Sequence, residues 1–217
     1  MGTTVAPQRP EATLGGGGGD IPVEGFGDSG PGSFSPVAGQ SVYRTGMWLA
    51  LVAVTMLFVA FTSAYIVRSG ISDDWQPIAI PSILWANTVL LVLSSLTLER
   101  TRRALKGGLR EAVNWWVSFT AILGVAFLAG QLLAWNQLSS QGIYLTTNPS
   151  SSFFYLLTGA HGLHLLGGVL ALLYITVEAW RYRLGPGNRT VVEVTAIYWH
   201  FMDGLWIYIL CLLLFWR

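Results

Sequence analysis

Of 217 residues, 53% are hydrophobic and only 11% charged, against about 25% charged in an ordinary soluble domain. The net charge of +1 gives no electrostatic reason to expect a nucleic-acid partner. Ten Trp and eight Tyr suit the aromatic belts of membrane-spanning segments, and the single cysteine, Cys211, permits neither an internal disulfide nor a cysteine metal cluster.

Residues 1–43 hold eleven Gly, five Pro, one Arg and four acidic residues, with no apolar periodicity. Such a segment buries too little surface to offset its ordering entropy, and a disordered cytoplasmic tail is expected. It lacks a basic start followed by an apolar core, so it does not read as a signal peptide. Residues 44–217 are expected to form one transmembrane domain. Its first 21 residues without a formal charge, 47–67, are enough to cross a hydrocarbon layer about 30 Å thick. A helix is predicted at about 45–67. In the next uncharged run, Pro77 and Pro81 turn the start into a loop, which predicts a helix at about 82–103. Residues 112–177 then run without Asp, Glu, Lys or Arg, too long for one span. The stretch SSQGIYLTTNPSS (139–151) supplies turn residues, dividing the run into helices at about 113–138 and 152–180. The last, at about 191–216, has Asp203 in its interior. The fold class is therefore all-α, an integral membrane bundle of five transmembrane helices.

With the N-terminus inside, nine basic residues fall on the cytoplasmic side (Arg44, the 100–110 cluster, Arg181, Arg183 and Arg189) and two, Arg68 and Arg217, on the other. That bias predicts a cytoplasmic N-terminus and an outer C-terminus. The basic cluster at 100–110 also suits anionic lipid headgroups. Trp115, Trp116, Trp135, Trp180 and Trp216 lie near predicted helix ends, where interface anchoring is the default reading.

The polar groups inside these spans carry the functional question. His161 and His164 are three residues apart, within about 60° of one another around the helix. His200 and Asp203 repeat that spacing in the last helix. A carboxylate near mid-bilayer costs roughly 2.5 kcal/mol or more, so Asp203 should face the bundle and meet a partner, with the histidines as candidates. Small residues at 160, 167 and 171 near the His164 face, and at 126, 130 and 134 beside Gln131, suit close helix packing. Three readings follow: a cross-helix polar network that sets bundle geometry, ligation of haem or metal, or a short proton relay. The first is preferred. Two histidines on one turn of a helix cannot supply opposite axial ligands to one iron, and no His-Glu-x-x-His or cysteine-ligand spacing occurs. A small membrane cytochrome b using His200 with His161 or His164 is the alternative of another class. A transporter is disfavoured because no internal repeat or paired broken helices are found.

Three stretches together resemble subunit III of the haem–copper terminal oxidases in its short five-helix form. NTVLLVLSS (87–95) is similar to that family's Asn-Thr start followed by Leu and Ser pairs. SSFFYLLTGAHGLHLLGG (151–168) resembles its Phe-Phe, Thr-Gly, His-Gly and His-x-x-x-Gly pattern, and YWHFMDGLWIYI (198–209) its Tyr-Trp-His-Phe, Asp and Trp pattern. The resemblance spans about 46–216. It implies a multi-pass subunit of a bacterial cytochrome c oxidase in the plasma membrane, with no catalytic residue, haem or copper of its own. Those metals belong to its implied partners, oxidase subunits I and II. Packing against subunit I, lipid binding in a cleft, support of assembly and proton uptake, and membership of a larger respiratory assembly are further implications. His161, His164, His200, Asp203, Gln131 and Trp199 would form its polar network or contact phospholipid. A quinol oxidase or a nitric oxide reductase would be the alternative host complex. Two family carboxylates are missing, their places taken by Val54 and Ala134, and the two extra helices of longer members are not matched.

Overall fold

The structure, a computed structural model, describes residues 36–71, 81–181 and 189–215. Five helices account for them: α1 (Pro36–Ile71), α2 (Ile83–Lys106), α3 (Arg110–Ser140), α4 (Pro149–Trp180) and α5 (Arg189–Phe215). All five are long and apolar enough to cross a membrane, and no strand occurs among the described residues. The chain is thus a multi-pass membrane bundle.

The helix bounds differ from expectation mainly at the N-termini. Helix α1 begins at Pro36, so 36–43, expected in the tail, is helical. Proline suits a first helical position, because its missing N–H would lack an intrahelical partner there. Of the residues that follow, VAGQSVY (37–43), only Gly39 is a poor helix former, and Arg44 interrupts hydropathy but not backbone geometry. The rest of the expected tail, 1–35, lies outside the described residues, as does Trp216. Helix α4 starts at Pro149, three residues before the predicted 152, for a readable reason. Asn148 caps it, its side chain accepting from the Ser151 N–H at 2.7 Å, while Ser151 Oγ accepts from the Asn148 N–H at 3.2 Å.

Helices α2, α3, α4 and α5 each pack against the next, and α5 returns to α2, closing a four-helix ring; α1 lies outside it, against α5 and α4 only. The core runs through the ring, with Leu84, Leu91, Phe127, Leu157, Leu165, Trp199 and Trp206 all nearly or fully buried. In lipid, apolar burial does not drive helices together, since the acyl chains are as apolar as leucine. Close packing and polar contacts must do so. One device is visible around Trp199, whose ring lies in a slot between Gly124 of α3 and Gly168 of α4. A Cβ at Gly124 would come within 2.8 Å of the indole, and one at Gly168 within 3.2 Å. A side chain at Gly124 would force the indole to shift, and one at Gly168 would need it to give by a few tenths of an ångström. The expected small face on α4 is correspondingly rotated: Gly167 is exposed with open space around it, and its neighbour Gly168 makes the contact. Successive helical residues point about 100° apart, so the shift by one residue selects a different face. On α3 the expectation holds better, with Gly130 and Ala134 buried and Ala126 half-buried.

Candidate functional site: a polar seam along the last helix

Helix α5 carries most of the polar side chains that cross between helices. Trp199 donates its indole N–H to Ser94 Oγ at 2.9 Å, and Trp206 donates to Thr88 Oγ1 at 3.0 Å. His200 Nδ1 shares a hydrogen bond with Ser95 Oγ. All three partners belong to α2. Tyr198 donates to the His164 carbonyl of α4 at 2.7 Å, and Tyr208 to Thr62 Oγ1 of α1 at 3.1 Å. Interhelical hydrogen bonds in membranes average about 0.6 kcal/mol, with a maximum near 1.7, so these bonds together are worth only a few kcal/mol. Their direction matters more than their sum, because each fixes both the rotation and the depth of α5.

The receiving residues on α2 fall into a pattern. Asn87 and Ser94, and likewise Thr88 and Ser95, are seven apart, two turns on one face. Thr88 and Ser94 donate in turn to their own helix, to the Leu84 and Leu91 carbonyls, which frees an oxygen lone pair for each indole. Sequence reasoning quoted this stretch as a motif but did not single out Thr88, Ser94 or Ser95. Their seven-residue repeat was the available signal.

The three histidines do not converge. His161 is fully buried, its ring 6.1 Å from Phe127 of α3 and 5.1 Å from Trp206 of α5. His164 donates Nδ1–H to the Ala160 carbonyl one turn back at 2.7 Å and presents its ring to Phe58 of α1 at 5.9 Å. His200 turns to α2. Opposed axial ligation of one iron would need two of these rings to face each other, and they are directed to three different helices. Among the described residues no group of three His, Cys, Asp or Glu is placed to hold a metal ion.

Asp203 is buried in the seam, as its cost in lipid requires. Its polar neighbour is Ser95 of α2, while the candidate histidines make other contacts. The Ser95 hydroxyl bonds to His200, and neither Asp203 oxygen has a hydrogen-bond partner among the described residues. Gln131 is likewise buried and without a partner. Val54 and Ala134, expected at the two family carboxylate positions, are buried core residues. Near the other end of α2, Glu99 pairs with Arg102 at 2.9 Å and Arg103 at 3.4 Å, and Arg100 lies over the Trp116 ring at 5.3 Å. Part of the basic cluster is thus engaged within the chain. The Trp115 and Trp180 rings meet edge to face at 6.5 Å and both are largely exposed.

The sequence model of the cytochrome c oxidase subunit III family matches residues 31–217, taking in all five helices. The chain belongs to this family. Among its relatives is the cytochrome c oxidase subunit 3 of Synechocystis sp., 34% identical over 170 residues, 75% of this chain and 70% of that protein. The corresponding protein of Thermostichus vulcanus is 32% identical over 179 residues, covering 77% of this chain and 84% of its own length. A probable cytochrome c oxidase subunit 3 of Mycobacterium bovis is 30% identical over 178 residues, covering 80% and 86%. As a subunit III family member, the chain has its three resemblance motifs on α2, α4 and α5, where they meet across the closed ring.

Proposed function

We propose that this chain is the subunit III of a bacterial cytochrome c oxidase and that it works without a redox centre of its own. It sits in the plasma membrane with its N-terminus inside, where most of its arginines lie. In this reading it packs against subunit I, in a complex whose subunits I and II carry the haem and copper, supports assembly and durable turnover, and holds phospholipid at its surface. The observation that carries the reading is the family match over all five helices, supported by histidines that each serve a different helix contact. His161, His164, His200, Asp203, Gln131 and Trp199 act as a structural network. Because Val54 and Ala134 replace the two family carboxylates, any help this subunit gives to proton uptake does not pass through those two places.

The test is a reduced-minus-oxidised spectrum of the affinity-tagged chain, purified in mild detergent from native membranes and again after expression alone. Haem bands are expected only with co-purified large subunits, and those bands identify the oxidase. A Soret band in the lone chain would overturn the proposal and make the histidines ligands.

A further inference from the structure

Besides Asp203, three side chains inside the ring are buried with polar atoms that meet no partner among the described residues. They are Asn87 (1% exposed) on α2, Gln131 (2%) on α3 and His161 (0%) on α4. Unmade are the Asn87 Nδ2 donors, both polar atoms of the Gln131 amide and both ring nitrogens of His161. A single such group in an apolar interior costs about 1–3 kcal/mol. Three on three helices call for a physical account.

Their neighbours place them at one level. Asn87 reaches over Gly130, the residue before Gln131, so closely that a Cβ at Gly130 would collide with its amide oxygen. Gln131 lies one turn from Phe127 and one turn from Trp135 on α3. Phe127 packs on His161 of α4, and Trp135 donates to Thr158, one turn before His161. Gln131 is therefore bracketed by two contacts to the same turn of α4. Trp206 closes the far side of His161, while its own indole N–H is committed to Thr88, next to Asn87. Donors and acceptors that share a level inside a bundle, yet stand beyond direct hydrogen-bond reach, are the setting in which a bridging water belongs.

We infer that Asn87, Gln131 and His161 line an internal water site within the α2–α3–α4–α5 ring. Water suits it as the ligand because it supplies donors and acceptors together, matching a ring that offers both. A neutral imidazole gives one of each, the Gln131 amide gives both, and the Asn87 amide nitrogen gives donors. Gly130 is required, since any side chain there would displace the Asn87 amide. The inference rests on the scaffold reading of the same residues and adds what satisfies them.

The test is X-ray hydroxyl-radical footprinting of the full chain in detergent and ¹⁸O-labelled water, read by mass spectrometry. Radicals generated from a bound water mark side chains beside it, however deeply these are buried. Phe127, His161 and Trp206 are expected to take up ¹⁸O several-fold more than Phe58, which is equally buried but packs on Phe61 and His164. In Gln131→Leu that excess should be lost. Labelling no higher than at Phe58 overturns the inference, and so does an excess that persists in Gln131→Leu. If that variant does not accumulate, the comparison with Phe58 in the unaltered chain decides alone. Failure of the scaffold reading would appear separately, as a Soret band in the lone chain.

Discussion

Helices α5 and α1 occupy comparable lengths of membrane and are held in contrasting ways. Helix α5 is fastened to α2 by three side-chain hydrogen bonds and has Trp199 in a slot that two glycines leave open. Among the described helices, α1 touches only α4 and α5, where Tyr208 donates to Thr62 and rings meet, as Phe58 on His164 and Tyr65 on Phe153. The difference shows two solutions to association in lipid. A helix inside the ring is fixed in rotation and depth by directional bonds, whereas one outside needs only a complementary apolar face. It also means that α1 has only its α4 face to dock on until α5 is in place.

The contrast can be broken most severely at Trp199. Replacing it by alanine empties the slot between Gly124 and Gly168, and losses of about 3–5 kcal/mol accompany such truncations in cores. The thermal midpoint of the detergent-purified chain should fall steeply, and little folded protein should accumulate. Filling the slot from the other side, with Gly124→Leu, should cost about 1–3 kcal/mol by overpacking, read by the same midpoint. For Asp203→Ala, recovery of the large subunits with the tagged chain should drop while the haem bands of the recovered complex keep their positions. A shifted band would count against the structural role. Tyr208→Phe sharpens the comparison at the small end. It removes the α5–α1 bond at a cost of about 0.6 kcal/mol and should leave the α2–α5 seam intact, visible as an unchanged environment of Trp199 by fluorescence.

How far the sequence revealed this arrangement depends on the element. Helix α4 was legible because an uncharged run bounded by the turn residues at 139–151 marks it, and its C-terminus at Trp180 falls where predicted, though Asn148 and Pro149, read as turn, cap and open it. The first turns of α1 were not, since Gly and Pro upstream masked a helix start whose local residues permit it. At the site, burial of Asp203 followed from the cost of a carboxylate in lipid. Its partner did not, because partner choice depends on depth and rotation relative to other helices. A one-residue rotation moved the close contact from Gly167 to Gly168, and Asp203 faces a serine on α2 rather than a histidine. Those relations belong to tertiary packing, which spacing within one helix cannot supply.

The most direct measurement is a double-mutant cycle across the seam, using Ser94→Ala, Trp199→Phe and the pair, with thermal midpoints of the purified full chain as readout. If the Trp199–Ser94 bond holds α5 to α2, the single effects should overlap. The double variant should then be less destabilised than their sum by about 0.6 kcal/mol, and by no more than about 1.7. Strict additivity would contradict the account, leaving the Trp199 indole held by packing alone.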